Sequence, residues 1–447
     1  MNKIIYGENE FMENNPYKFN YKSVNDIKEK AEKLNINIGF SDNYGVFSRK
    51  VEVEPGFTLK NALAVHPMEA FDGEFDGSPG ELTFRRYKRF AESGAGLIWF
   101  EAVAVQEDAK TAPRQLMLGK KNIDNFKRLV ETVKNTAGGD TKLIIQLTHS
   151  GRFSKPPVIA CHNKTLNTCM DLEPSYPVVS DDYLKNLEET FESAAYTAEL
   201  AGFDGVDIKA CHRYLFAELL GAFNREGEYG GSYENRTRIY KNTIKRAKNR
   251  LKKSTAVVSR LGISDVIAYP DGFATTKTGV PDLTESLRLA GEINELGVKL
   301  INVTMGTPYY NPHINRPYNQ NVGGAPSPSE PLLNLAEFIK NTGIFQKTYP
   351  DMTFVGTGYS YLRKFAIDAA AYSIEKNLAK VIGFGRGAFA YKGFAGDMLS
   401  GFMDSKKCCL ACSKCTEIMR AGAATGCPVR DSEIYMPVYK KYVIGGK

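Results

Sequence analysis

The chain has 447 residues, 43% hydrophobic and 24% charged, with a formal net charge of +7. This length allows one large barrel or two to three ordinary domains, and the composition is that of a globular protein. No apolar run approaches ~18 residues, which excludes a transmembrane helix. The polar start MNKIIYGENEFMENNPYKFN lacks the apolar centre of a signal peptide, so the expected location is cytoplasmic.

Residues 1–55 read as a polar N-terminal extension. From residue 56 to 395, short β-branched runs alternate with helical patterns. The expected strands are 61–68, 96–105, 142–149, 204–210, 255–261, 299–305, 352–358 and 380–385. Their near-continuous hydrophobicity suits parallel strands buried on both faces. The stretch LKNLEETFESAAYTAEL places Leu187, Phe191, Ala194, Ala195 and Ala198 on one helical face, with Gly202 positioned to end the helix. Eight such units predict an α/β (β/α)8 TIM barrel; a doubly wound sheet is the alternative. The basic stretch KRAKNRLKK at 245–253 carries no interleaved aromatics. It reads as a solvated helix face rather than a nucleic-acid surface. Neither a membrane nor a nucleic acid is an expected partner, and oligomer formation is left open.

In a TIM barrel the C-terminal strand ends and the loops after them build the active face. The long loops here are 150–180, 211–235 and 306–330. Polar residues gather at the strand ends: His66-Pro67-Met68-Glu69, Gln146 to Arg152, Lys209-Ala210-Cys211-His212-Arg213-Tyr214 and Arg260. The last two strands end in GTGYS (356–360) and GFGRG (383–387). Exposed backbone N–H groups and Arg386 there suit a phosphate. A strict G-x-G-x-x-G fingerprint is absent, which counts against a Rossmann site.

Residues 396–447 form a C-terminal segment with five of the eight cysteines, in KCCLACSKCTEIMRAGAATGCPVRD (407–431). From Cys409 the spacing is C-x2-C-x2-C, followed after eleven residues by Cys427-Pro428. Four thiolates suit zinc or a [4Fe–4S] cluster, and a reducing cytosol disfavours disulfides. Zinc sites more often pair two separated C-x2-C units, so Cys409, Cys412, Cys415 and Cys427 are the expected cluster ligands. Cys408 is an adjacent spare, with spacing favouring Cys409. Cys161, Cys169 and Cys211 stand apart as ordinary thiols.

The segment Tyr229-Gly230-Gly231-Ser232-Tyr233-Glu234-Asn235-Arg236-Thr237-Arg238 is similar to the Y-G-G-S-x-E-N-R-x-R loop of the Old Yellow Enzyme family. QLTHSGR at 146–152 and the 209–214 segment add to this. Over roughly residues 60–430 the chain resembles that family of FMN-dependent oxidoreductases. It looks most like the iron–sulfur branch with 2,4-dienoyl-CoA reductase and trimethylamine dehydrogenase, whose members carry a similar cysteine run after the last strand. The resemblance implies that Gln146 binds the pyrimidine edge of the flavin. Arg260 would lie near N1 and O2, Ala102 would approach the ring through its backbone, and Gly358, Gly385 and Arg386 would bind the FMN phosphate.

The resemblance also implies that His212 and Lys209 hold a substrate carbonyl oxygen while Tyr214 supplies a proton. Lys209 stands where the family has His, and the alternative is that it pairs with Glu69 or Asp207. Many relatives have Pro-Met-Thr beside the flavin's reactive edge. Pro67, Met68 and Glu69 are the expected flavin contacts here; Glu69 departs from the pattern, and the alternative is that it points away and leaves Ala70 beside the ring. The implied reaction is reduction of an activated C=C in a small unsaturated carbonyl compound. Relatives continue into FAD- and NAD(P)-binding domains, and the twenty residues after Cys427 leave no room for one. Electrons are therefore expected from NAD(P)H or from an external donor protein. A second reading is an amine dehydrogenase whose aromatic bowl is Tyr309, Tyr310 and Tyr318; a third is a non-catalytic ligand-binding barrel.

Overall fold

The computed structural model describes residues 17–446. The first part of the polar extension, on which the signal-peptide reading was made, therefore lies outside the described residues. A hairpin of β1 (Val51–Glu54) and β2 (Phe57–Leu59) comes first. Then follow β3 (Leu63–Val65), β4 (Leu97–Ala104), β5 (Lys142–Thr148), β6 (Gly205–Ile208), β7 (Ala256–Ser264), β8 (Leu300–Met305), β9 (Thr353–Gly356) and β10 (Val381–Phe384). These last eight pair in parallel and in chain order, and β10 returns to β3 to close the barrel. Every residue of β3, β4, β6, β7, β8, β9 and β10 is buried, as strands sandwiched between a filled interior and a ring of helices must be.

All eight expected strands are present, and the doubly wound alternative is excluded by closure. The first is shorter than expected because His66 to Glu69 leave the ladder for the barrel mouth. The helix Asp181–Leu200 begins at Ser180, whose side chain accepts from the Tyr183 N–H, and buries Leu187, Phe191, Ala194, Ala195 and Ala198. Gly202 follows at φ +92°, a left-handed position that costs glycine little. Ser232 likewise caps the helix Tyr233–Arg250. That helix carries much of the basic stretch, with Arg246 paired to Glu189 at 3.1 Å and Glu192 at 2.9 Å.

Phe57 of β2 lies under the Lys142 ammonium, 5.5 Å from ring centroid to Nζ. Lys142 opens β5, so the hairpin covers the N-terminal end of the barrel and leaves the C-terminal end open. Among the described residues no helix is long and apolar enough to cross a membrane.

Inside the barrel His66 is 3% exposed. Asn302 Nδ2 lies 2.9 Å from its Nδ1 and Thr357 Oγ1 3.0 Å from its Nε2. Thr357 donates its own proton to the Val303 carbonyl, so it accepts from Nε2–H and Nδ1 accepts from Asn302. Burial, then the Arg260 charge, hold the imidazole pKa well below its ordinary value, so the ring is neutral. A Cβ on Gly383 would stand 2.2 Å from this pinned ring. Gly383→Ala should therefore destabilise the fold by roughly 1–3 kcal/mol or more, read as a lower denaturant midpoint at unchanged slope.

Candidate active site

The C-terminal strand ends enclose a cavity of about 970 Å³, solvent mouth included. Its wall brings together Pro67, Met68, Glu69, Gln146, Lys209, His212, Tyr214, Arg260, Gly358, Gly385 and Arg386. Ala102, on β4 beside Gln146, is not part of that wall. Its carbonyl accepts from Gln115 Nε2 at 3.0 Å.

One side of the cavity is organised by Asp207, which is fully buried. Gln146 Nε2 donates to it at 2.6 Å, Trp99 Nε1 at 2.9 Å and the Arg260 backbone N–H at 2.7 Å. Burial pushes the Asp207 carboxyl up to about 6 against these hydrogen bonds. Because Gln146 commits its NH2 to Asp207, its amide oxygen is directed elsewhere as an acceptor. Arg260 reaches the Pro67 carbonyl through Nη1 at 3.3 Å, while its Nε is buried without a partner. A permanent cation with unspent donors fits the pyrimidine side of a reduced flavin.

The segment after β6 supplies the opposite side. His212 and Arg213 both adopt left-handed conformations, φ +64° and +57°, which are uncommon for side chains with a Cβ. Buried contacts hold the turn. Arg213 pairs with Asp265 at 3.2 Å and donates to the Asp271 carbonyl. The turn points the ring of His212 into the cavity, where Nε2 is buried without a partner. Burial, Arg260 and Lys209 keep that ring neutral.

Glu69 does not take the outward alternative. It points inward, because Ala70 is pinned outward: the Ala70 N–H donates to Glu101 Oε2 at 3.0 Å and its carbonyl accepts from Thr425 N at 2.7 Å. Glu101 and Asp72 in turn grip the buried Arg86. The Glu69 carboxylate accepts from the Tyr214 hydroxyl at 3.0 Å and stands 3.7 Å from the Lys209 ammonium. Lys209 thus makes the carboxylate pairing weighed as the alternative role, yet it still lines the cavity. Its Nζ sits 3.5 Å from the Tyr214 ring centroid. Burial lowers the Lys209 pKa and Glu69 raises it. Burial, then Glu69 and Tyr309, raise that of Tyr214 well above its ordinary value.

These signs make a prediction. Glu69→Gln removes a cause that raises both pKa values, so protons leave Lys209 and Tyr214 at lower pH. The alkaline limb of a kcat/KM profile should move to lower pH, and an unmoved limb would exclude both groups from the titration.

Of the aromatic bowl, Tyr309 reaches the cavity but Tyr310 and Tyr318 do not. Tyr310 is 43% exposed and Tyr318 is 1% exposed. Phe153, from the loop after β5, stacks on Tyr309 at 3.7 Å, a partner with no sequence signal beyond its neighbour Arg152.

The C-terminal segment straps across the cavity, contributing Thr416 and Met419 to its wall. Asp431 binds Arg85 through two hydrogen bonds of 2.7 and 2.8 Å and anchors the strap to the helix Glu81–Ala91. Cys415 feels the charges of Cys409 and Cys412, and Cys427 those of Cys409 and Cys415. Burial and these neighbours push Cys415 up to about 11 and Cys427 up to about 12. The Ala411 N–H donates to Cys409 Sγ and the Arg430 N–H to Cys427 Sγ, each at 3.4 Å. Among the described residues, no three His, Cys, Asp or Glu side chains form a group that could hold a single metal ion.

Comparison with known proteins agrees with this fold. Residues 51–323 match the model of the NADH:flavin oxidoreductase / NADH oxidase family. The NADPH dehydrogenase of Bacillus pumilus is 34% identical over 256 residues, covering 56% of this chain and 71% of that protein. That of Bacillus subtilis is 31% identical, covering 56% and 70%. Among solved structures, 2-naphthoyl-CoA reductase superposes with a TM-score of 0.71 at 15% identity, over 90% of this chain and 58% of that one. Histamine dehydrogenase from Rhizobium sp. 4-9 gives 0.64 at 19% identity, over 86% and 52%. The Old Yellow Enzyme homologue of Zymomonas mobilis gives 0.58 at 21%, over 79% and 92%. At these identities the solved structures speak to the fold, and the chain spans only about half the length of the first two.

Proposed function

The chain belongs to the NADH:flavin oxidoreductase / NADH oxidase family, and from that premise we propose that this flavin-dependent oxidoreductase is an ene-reductase. Its substrate would be an α,β-unsaturated carbonyl compound: an enone, enoate or enoyl thioester. The cavity residues would hold FMN, which when bound would supply the hydride for the β-carbon, with NAD(P)H or an external carrier as the source of electrons. The orphaned donors at Arg260 Nε and Arg386 Nη1 suit its ring and phosphate, and Gly385 leaves room where a Cβ would stand 2.7 Å from Met68 Sδ.

The observation that carries the reading is the Glu69–Lys209–His212–Tyr214 group in the same cavity as Arg260 and Gln146. Neutral His212, through Nε2, and the Lys209 ammonium stabilise the carbonyl oxygen as negative charge develops there. Tyr214 gives its proton to the α-carbon, while Glu69 orients that hydroxyl and balances Lys209. Pro67 and Met68 would border the ring, Gln146 would accept from its pyrimidine edge, and Gly358, Gly385 and Arg386 would hold the phosphate.

We further read Cys409, Cys412, Cys415 and Cys427 as the ligands of a [4Fe–4S] electron relay, as in the iron–sulfur branch. The spacing of these cysteines, in the segment that straps the cavity, supports this. The division into extension, barrel and cysteine segment is proposed on the same grounds, as are the unsaturated substrate and the donor protein.

An amine dehydrogenase has less support. Of its expected aromatic bowl only Tyr309 reaches the cavity, and the protein's own ammonium, Lys209, already covers the neighbouring Tyr214 ring. Anaerobic assays with an enone, an enoate and an enoyl thioester should show turnover, with methylated amines inert. Amine oxidation without alkene reduction would overturn the proposal.

A further inference from the structure

The phosphate corner holds a second guanidinium. Arg316, from the long loop after β8, lines the cavity beside Arg386, Gly358, Gly385 and Ser360. The two guanidinium groups share one cavity wall, and burial and the charge of Arg386 pull the Arg316 pKa down to about 9. Arg386 Nη2 donates to the carbonyl of Pro317, the next residue, at 2.6 Å. Arg386 Nη1 and Arg316 Nη2 are both shielded from solvent and have no partner. Two like charges held together, each with an unspent donor, are compensated by an anion with several acceptor oxygens.

Arg316 is gripped from the other side by the cysteine segment. Its Nη1 donates to Thr416 Oγ1 at 2.8 Å and to Ser413 Oγ at 3.3 Å. These two residues flank Cys415, whose charge acts on Arg316. Nearby, the Asn319 N–H donates to the Ala411 carbonyl at 3.0 Å and the Gly323 N–H to Glu417 Oε1 at 2.6 Å. The loop bearing Arg316 is therefore laced to the segment at Arg316 itself and just beyond it.

We propose that Arg316 is a second ligand of the FMN phosphate, set in place by the cysteine segment, so that filling the cysteine site and binding FMN favour each other. This rests on the reading of the cavity as the flavin site and of the four cysteines as cluster ligands. Such linkage is reciprocal: whatever orders the segment tightens FMN, and FMN in turn stabilises the occupied segment.

The test is equilibrium titration of the flavin-free full chain with FMN and with riboflavin, which has the same ring and no phosphate. Arg316→Gln should weaken FMN about ten- to a hundredfold while riboflavin changes less than about threefold. Arg316→Lys should recover part of the loss, and Thr416→Val should weaken FMN in the same direction by less. Removing iron from the wild type should weaken FMN but not riboflavin, and should add nothing in Arg316→Gln.

Equal losses for both flavins, or unchanged FMN affinity, would overturn the phosphate role. An iron effect as large in Arg316→Gln as in the wild type would overturn the linkage. A wild type that never takes up iron defeats the cluster reading and with it the linkage, while the FMN-to-riboflavin ratio still decides the role of Arg316.

Discussion

Tyr214→Phe should reduce alkene turnover by roughly 10²–10⁴-fold while leaving the rate of flavin reduction by NAD(P)H unchanged. The substitution removes one oxygen at a site 2% exposed and retains the ring over which Lys209 sits. The packing cost is therefore small and the loss is one of chemistry. Tyr214 is suited to being an acid. Burial, the Glu69 carboxylate and Tyr309 all disfavour its phenolate, so the hydroxyl keeps its proton until the developing carbanion takes it. Single-turnover reoxidation of the reduced enzyme by an enone isolates this step. Wild-type reoxidation in Tyr214→Phe would remove Tyr214 from the donor role and leave the Lys209 ammonium, over the same ring, as the group to test.

Much of this arrangement was legible in the chain because it is local. Each strand is a short buried run and each site residue lies at or just after its C-terminal end, so barrel geometry converges Gln146, Lys209, His212, Tyr214 and Arg260 without further information. What the sequence could not show were contacts between segments far apart in it. The inward turn of Glu69 depends on Ala70 being held by Glu101, 31 residues away, and by Thr425 on the strap. Arg316 sits in a loop without regular periodicity, and its role becomes visible only when Thr416 is brought beside it, 100 residues later. Tyr310 and Tyr318 failed to join Tyr309 for a related reason: proximity in a loop sets no common direction for side chains, whereas a strand end does.

Cys408 and Cys409 give the second large expectation, because adjacent side chains on one backbone point apart. Cys408 donates its Sγ proton to the Asp404 carbonyl at 3.2 Å and is 2% exposed. The charges acting on it are Cys409, Arg430, Asp404 and Arg363, with none of the other three cysteines among them. Cys409 instead feels the charges of Cys412 and Arg386 and accepts the Ala411 N–H; burial raises its thiol pKa, while Arg386 and that N–H oppose the rise. Alanine at Cys409 should abolish iron binding, as should alanine at Cys412, Cys415 or Cys427, since each removes one of four ligands. Alanine at Cys408 should leave iron stoichiometric, with a visible absorption that persists after the flavin is removed. Retained iron in Cys409→Ala together with its loss in Cys408→Ala would reverse the assignment. A colourless, iron-free wild type, purified without oxygen and stripped of FMN, would end the cluster reading. If the assignment holds, Arg386 lies between flavin phosphate and cluster, its charge acting on Cys409 and Cys415. One permanent cation then favours the anionic form of both redox partners, and Arg386→Gln should lower FMN affinity and the cluster's reduction potential together.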